Sequence, residues 1–532
     1  ASVFLACINH DKPLKEVVMN DERLQKACNG NDNLLNYLYQ TLYVIRENVN
    51  EYKWQKKLKD FDDLLTGAYT LLDNKTVRDL VNNIYQYILI DEYQDTNHIQ
   101  SQIVHQLRDT NSNLVVVGDD FQSIYRFRGA EVKNFTDFPN EFDDVHKHML
   151  IQNYRSTQEI LDLSNCVMEK HAKFGFKKTL VTGLNKHGQK PSVYLVKDAN
   201  QEMSLAYALI RKYMTQDLKN GLDANKIAVL YRGSNSVAYL EGILHKNEKQ
   251  YEKHGGTAFF DMDCIQDVLS YLRVIANPFH ELAWYRILKT YSHIGDKRAA
   301  TMAAMSNEYG FLSNVPQRNG NTKTAKEINS DLLLLESVLE TAKTYDTTYD
   351  MLKVIIEHYK QIYERRAENN ESMADGQANA FENLDILLDM SNCDEYQNLM
   401  KWLDATALRE IDKKKEDTHI VLSTIHSAKG LEWNHVILLD CVDGVFPRAK
   451  TEEDMNEELR CFYVAMTRAA DTLDIICPKV INQFGSYMQT EMTPFLQNLN
   501  NNDCMSVINS NVTQRVVYES NKYADDYEKR GV

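Results

Sequence analysis

Residues 87–96 read YILIDEYQDT, and residues 113–130 read NLVVVGDDFQSIYRFRGA. Each is a short apolar run that stops at polar residues, as a buried strand of a parallel sheet does where its carboxyl end meets a ligand. Asp91 and Glu92 place two carboxylates at the first such end. A small hard cation takes oxygen ligands and keeps part of its water, so Asp91 is the candidate Mg²⁺ ligand. Glu92 is then placed to orient or deprotonate an attacking water. A strand can also end in Asp–Glu and simply meet solvent, and the dipeptide alone does not decide between the two. Gln122 follows the second run, where a neutral amide can touch both a terminal phosphate and that water. Tyr125, Phe127 and Arg128 bring two aromatic faces and a cation within four residues, which is the composition of a platform for unpaired bases or of ordinary aromatic packing.

Further along come QNYRST at 152–157, STIHSAKGLEW at 423–433 and EELRCFYVAMTRAAD at 457–471. Together with DEYQDT and VGDDFQSIYRFRGA, this ordered series resembles the motifs of the UvrD/Rep/PcrA group of superfamily 1 DNA helicases. Five long motifs in order are far more specific than any one of them. The resemblance runs from about Asp60 to about Pro494. It implies an α/β fold with two RecA-like parallel-sheet cores, the first incomplete, and helical insertion subdomains.

No G-x-x-x-x-G-K-[ST] phosphate loop occurs in the 532 residues. GNTKTA at 320–325 and FGFKKTL at 174–180 both lack the glycine directly before the lysine. In the family that loop lies well upstream of the DEYQDT strand. The chain also begins with Ala1, so the expectation is a truncated fragment, inactive alone, whose complete protein hydrolyses ATP.

Composition fits a large globular enzyme of several domains, with 43% apolar and 26% charged residues. Nine cysteines without C-x-x-C spacing argue against a zinc ribbon or a disulfide framework and point to a reducing cytoplasm. The apolar start ASVFLACI has no basic flank and meets Asn9 after eight residues, too soon for a signal peptide or a membrane span; it reads as an exposed remnant of a core element. A net charge of −16 tells against broad coating of duplex but leaves room for a local basic channel.

The apolar spacing is helical over 12–82, and DFDDLL at 60–65 resembles the helix that precedes the DEYQDT strand in the family. KIAVLYRGS at 226–234 reads as a buried strand, Gly255–Gly256 as a turn and Asp261 as a cap for the helix that follows. Helical spacing returns from Phe279 to Asp417, with a polar loop expected within 365–388, and 418–440 reads as strand, turn and strand. The acidic run EEDMNEEL at 452–459 reads as a solvated helix start. The resulting division is 1–82, a helical remnant of the first core's insertion; 83–148, the rest of the first core; 149–278 and 417–499, the two parts of the second core; 279–416, a helical insertion; and 500–532, a polar, poorly ordered tail.

The resemblance assigns roles position by position. Arg155 and Arg468 match arginines that reach the γ-phosphate from the second core, a task suited to a planar guanidinium that stays charged when desolvated. With Glu92 and Gln122 they form the catalytic set. Tyr154 matches the residue stacking on adenine and Glu432 the one meeting the ribose. Gly430 is grouped with them in nucleotide binding, although Lys429–Gly430 lacks the spacing of a phosphate loop. Thr424, His426 and Ser427 match a turn that donates to DNA phosphates, beside the platform of Tyr125, Phe127 and Arg128. Phe127 departs from the family, which usually carries Trp there.

The implied cofactors are ATP and Mg²⁺. The implied partners are single-stranded DNA and single/double-strand junctions, with 3′ to 5′ movement, no membrane and no protein partner identified. A non-catalytic helicase relic and the helicase subunit of a nuclease complex are the alternatives.

Overall fold

The computed structural model describes residues 7, 13–108, 113–142, 144–219, 226–233, 237–247, 249–309, 323–368, 370–392, 398–403, 419–483, 486–499 and 504–509. They fall into two compact units. Unit 1 is Ala1–Asn153, Ser164–Gly183 and Ala449–Val464; unit 2 is Tyr154–Leu163, Leu184–Arg448 and Ala465–Val532.

Unit 1 begins with five helices, α1 (Leu14–Asn20), α2 (Glu22–Ala27), α3 (Asp32–Lys56), α4 (Phe61–Asp73) and α5 (Lys75–Ile84). Their starts are written in short polar side chains. Asn31 accepts from the backbone N–H groups of Asn33 and Leu34, and Asp60 forms a reciprocal capping box with Asp63 at the head of α4. Strand β1 (Tyr87–Ile90), α6 (His98–Leu107), β2 (Asn113–Val116) and α7 (Lys133–Thr136) follow, and then β3 (Gln152–Asn153). β1 and β2 pair in parallel, Tyr87 with Asn113 through Ile90 with Val116. They form a sheet of two strands. Parallel pairing was expected, but full burial is not what the structure shows. Tyr87 is 68% exposed and Leu89 72%, because among the described residues nothing covers that face. Of the opening ASVFLACI, only Cys7 lies within the described residues, and it packs with Leu14 and Val18.

In unit 2 the dominant element is a seven-stranded sheet in the order β13-β5-β10-β9-β6-β8-β7. Before it in the chain come α8 (Gln158–His171), whose residues from Ser164 onward count with unit 1, and β4 (Val181–Thr182), which pairs in parallel with β3 of unit 1. The strands of the seven-stranded sheet are β5 (Ser192–Val196), β6 (Ile227–Tyr231), β7 (Glu252–His254), β8 (Ile420–Thr424), β9 (Trp433–Leu438), β10 (Ala469–Pro478) and β13 (Ser506–Asn509). Every pairing is parallel. All five residues of β6 are buried, as a central parallel strand covered on both faces requires. Helices α9 (Ala199–Lys219) and α10 (Ala238–Lys246) pack on this sheet through Leu205, Leu209, Leu240 and Leu244.

Between β7 and β8 lie α11 (Asp263–Ala276), α12 (Glu281–Lys289), α13 (Asp296–Tyr309), α14 (Lys323–Lys343), α15 (Thr348–Ala367) and α16 (Glu371–Ser391), whose core includes Trp284, Trp402, Tyr271 and Leu352. Helix α17 (Glu452–Met466) precedes β10, and β11 (Val480–Gln483) with β12 (Ser486–Gln489) makes an antiparallel hairpin.

Three expectations need correction here. Met262, not Asp261, precedes α11; Asp261 ends a short 3₁₀ turn from Phe259. The polar stretch within 365–388 is mostly helical, because Asn370 caps α16 by accepting from Met373 N–H three residues after α15 ends. The polar tail is ordered at its start, where Ser506–Asn509 adds an edge strand to β5 and Cys504 and Met505 are buried; residues 510–532 lie outside the described residues.

Candidate nucleotide and nucleic-acid sites

In unit 1 the carboxyl ends of β1 and β2 bring Asp91, Glu92, Asp119 and Gln122 to the lining of one groove of about 850 Å³. Glu92 sits in the left-handed backbone region at φ 53, a conformation that a non-glycine residue adopts at a cost. Asp91 Oδ1 accepts from the Glu92 N–H at 2.8 Å. Gln94, fully buried, ties the two strand ends together. Its Nε2 donates to Glu92 Oε2 at 2.5 Å and its Oε1 accepts from Asp119 N–H at 3.0 Å. Gln122 Nε2 donates to Asp119 Oδ2 at 2.8 Å. Lys178 bridges Asp119 and Asp120, and the Tyr463 hydroxyl reaches Asp119 Oδ2 at 3.3 Å. Sequence reasoning singled out neither Gln94 nor Lys178. Gln94 was legible as the amide of DEYQDT, whereas Lys178 is brought here only by the tertiary fold.

The turn after Gln122 carries the aromatic platform. Tyr125 and Phe127 lie 6.0 Å apart between ring centroids at 64°, and the Arg128 guanidinium stands 5.0 Å from the first ring and 5.5 Å from the second. Phe127 is 60% exposed. Burial, with Asp95 nearby, pushes the Tyr125 hydroxyl above the usual phenol range, so it stays protonated.

Unit 2 gathers a second set. Arg155 Nε donates to Glu432 Oε2 at 2.5 Å and its Nη1 to the Thr467 carbonyl at 2.9 Å. Arg468, nearly fully buried, donates to the Leu431 carbonyl at 3.1 Å and to Thr467 Oγ1 at 3.2 Å. Arg155, Glu432 and Arg468 therefore meet around Thr467 and Leu431, which the sequence spacing did not reveal. Tyr154, one residue before Arg155, is 64% exposed. Gly430 has a φ of +82 and closes the turn after β8. On that turn Thr424 Oγ1 donates to Ser427 Oγ at 2.9 Å, with His426 between them. A Cβ added to Gly255, at φ +78, would lie 2.5 Å from Ser427 Oγ and 2.7 Å from Thr424 Oγ1, so glycine there lets the β7 turn press against these hydroxyls.

Comparison with known proteins matches residues 148–479 to the family described as UvrD-like helicase C-terminal domain and residues 8–143 to the UvrD/REP helicase N-terminal domain. The chain is 32% identical to the ATP-dependent DNA helicase PcrA of Bacillus subtilis over 465 residues, 83% of this chain and 62% of that protein. It is 31% identical to PcrA of Staphylococcus aureus strain Mu50 over 438 residues, 78% of this chain and 58% of that one. The PcrA of Staphylococcus epidermidis is 29% identical over 516 residues, 93% of this chain and 68% of its own length. The chain thus spans about three fifths of the first two relatives. With matched families covering both of its units, the chain belongs to the UvrD-like helicases.

Proposed function

We propose that this chain is the larger part of an ATP-dependent DNA helicase or translocase that moves 3′ to 5′ on single-stranded DNA, and that its phosphate loop is contributed by a segment outside these 532 residues. One observation carries the second half of this reading. The groove that holds Asp91, Glu92 and Gln122 is lined by the whole of β2, Asn113–Val116, and by the 144–150 and 176–180 stretches. A further parallel strand beside β2 would fill it and end next to Gly118 and Asp119, one strand over from Asp91 and Glu92, the position from which a strand-to-helix loop cradles phosphate.

The residues present fit magnesium and ATP in part. Among the described residues no group of three or more His, Cys, Asp or Glu forms a metal cage. That suits Mg²⁺, which is held by one or two carboxylates with water and substrate phosphates. Asp91 is exposed and only its Oδ1 is engaged among the described residues, so its other oxygen suits the ion. Bound Mg²⁺ would neutralise charge on the β- and γ-phosphate oxygens.

The chain's own residues would do the rest. Glu92, held by Gln94, orients water; Gln122 contacts water and phosphate; Arg155 and Arg468 answer the charge that develops on the transferred group. Tyr154 offers its face to the base, Glu432 its carboxylate to the ribose, and Gly430 lets the turn approach the nucleotide. Tyr125, Phe127 and Arg128 hold bases, while Thr424, His426 and Ser427 hold phosphates. Arg155 engages Oε2 of Glu432, which leaves the second carboxylate oxygen to accept from a ribose hydroxyl. A cytoplasmic location is part of the same reading; among the described residues no helix is long and apolar enough to cross a membrane.

The test is ATP turnover by the 532-residue chain with and without single-stranded DNA, with Arg468→Ala as the control for contaminating helicase. No turnover above the control is expected. DNA-stimulated turnover that disappears in Arg468→Ala would refute the missing loop and require a phosphate cradle within this chain.

A further inference from the structure

Arg126 lies between Tyr125 and Phe127 in sequence, in the middle of the proposed base platform. Its guanidinium is nevertheless committed within the protein. Nη1 meets Glu453 Oε2 at 3.0 Å, Nη2 meets Asp454 Oδ1 at 2.5 Å and Nε meets Glu457 Oε2 at 2.9 Å. All four residues belong to unit 1. The acidic run at 452–459 does begin a helix with Glu452 and Glu453 exposed, as its composition suggested, and three of its carboxylates also form the sides of a clamp.

The clamp is built against local electrostatics. The start of α17 presents the positive end of a helix dipole, which by itself repels a guanidinium. Three carboxylates within its first two turns reverse that preference, and helical spacing sets Glu453 and Glu457 on one face. Asp454 is itself fixed by the helix. Its Oδ2 accepts from the backbone N–H of Thr451 at 3.2 Å and of Lys450 at 3.3 Å, and its own N–H donates to Thr451 Oγ1 at 3.1 Å. Burial opposes ionisation of Asp454, yet the hydrogen bonds from Thr451 and Arg126 hold its carboxyl below the usual range. Single exposed ion pairs contribute little, but a guanidinium with every nitrogen on a separate carboxylate forms a network. Only arginine has the fork for it.

On the other side of Arg126 the chain is a tight turn. Gly129, at φ +86, donates to the Arg126 carbonyl at 2.8 Å, and Arg128 N–H donates to the Tyr125 carbonyl at 2.9 Å. We infer that Arg126 is a positioning residue: its clamp on Glu453, Asp454 and Glu457 holds the Tyr125–Phe127 pair, with Arg128 beside it, in the geometry that receives bases of single-stranded DNA. The inference rests on the platform reading above.

The test is binding of a fluorescently labelled oligothymidylate to the full chain by anisotropy across a salt series. Arg126→Ala is expected to bind roughly tenfold more weakly, the order of one lost base stack, with an unchanged slope of log K against log salt. The isosteric triple variant Glu453→Gln, Asp454→Asn, Glu457→Gln is expected to weaken binding similarly, although it removes three negative charges. Arg126→Lys, which keeps the charge and loses the fork, is expected to behave like Arg126→Ala.

A slope smaller by about 0.7 in Arg126→Ala, tighter binding by the triple variant, or full rescue by lysine would each make Arg126 an ordinary phosphate contact and overturn the inference. Phe127→Ala separates the two readings. If it binds as the unaltered chain does, the platform reading falls and the clamp with it. If it weakens binding while Arg126→Ala does not, only the clamp falls.

Discussion

Glu241 and Lys253 form an ion pair of 2.7 Å in unit 2, with 1% and 7% of their side chains exposed. Glu241 also accepts from the Tyr251 hydroxyl at 3.0 Å, and Lys253 also donates to the Thr257 carbonyl at 2.7 Å. Burial raises the Glu241 carboxyl above the usual range, opposed by Lys253, Tyr251 and the Phe259 N–H. Glu241→Gln keeps the shape and removes the charge, leaving a buried ammonium with only neutral acceptors, the new amide oxygen and the Thr257 carbonyl. Breaking a buried pair in this way costs about 3–5 kcal/mol, and the surviving Thr257 contact places the expectation at about 3.

Urea unfolding followed by tryptophan fluorescence reads this directly. Trp284, Trp402 and Trp433 are buried in unit 2, whereas Trp54 of unit 1 is exposed. The midpoint should fall by about 1 M or more. Glu241→Leu combined with Lys253→Met should return to within about 1 kcal/mol of the unaltered chain or exceed it, because an apolar pair pays no desolvation penalty. A midpoint unchanged by Glu241→Gln would mean that water reaches the pair, and would refute the argument.

His358 is buried against the Tyr291 hydroxyl at 2.8 Å, and burial, with Arg365 adding to it, draws its pKa down to about 4. Between about pH 4 and 6.5 the unfolded chain binds a proton that the folded one does not, so stability rises with pH through this window; it is fully present above 6.5 and is lost below it, by up to about 3 kcal/mol. Urea midpoints at pH 7 and pH 5 for this chain and for His358→Gln check it, and a difference between the two proteins that does not change with pH would sink the idea. Gly255→Ala strains a left-handed backbone by about 1–2 kcal/mol and drives a methyl group into Ser427 and Thr424. It should lower the melting temperature and weaken oligothymidylate binding, and undiminished affinity would remove that turn from the DNA contact. Phe127→Trp should tighten oligothymidylate binding by enlarging the stacking face, and a loss of affinity would show that the turn is fitted to phenylalanine.

The sequence carried the strand-end carboxylates, the aromatic turn and the strand signals of unit 2 because each is written in consecutive residues with a period or an abrupt stop. KIAVLYRGS became β6, and THIVLSTIHSAKGLEWNHVILLD became β8, its turn and β9. What it could not carry were meetings between distant residues. Arg155 finds Glu432 across 277 positions, and Arg126 finds Glu453 across 327. A run such as EEDMNEEL shows its solvated helix start but not the counter-charge that reaches it from elsewhere in the fold. Burial of β1 was misread for the reverse reason. An apolar strand announces what it could bury, and only the neighbouring strands decide whether it does.

The two-stranded sheet of unit 1 also bears on how the chain behaves at concentration. Tyr87, Leu89, Val115 and Val117 stand exposed along it, and among the described residues β1 and β2 pair only with each other. Open edges with apolar side chains are templates for a foreign strand, so copies of this chain have a ready route to stick edge to edge. Their opposition is electrostatic: at a net charge of −16 the copies repel one another over a distance that shrinks from about 30 Å at 0.01 M salt to about 10 Å at 0.1 M. Added salt, which ordinarily keeps nucleic-acid-binding proteins in solution, should here hasten precipitation.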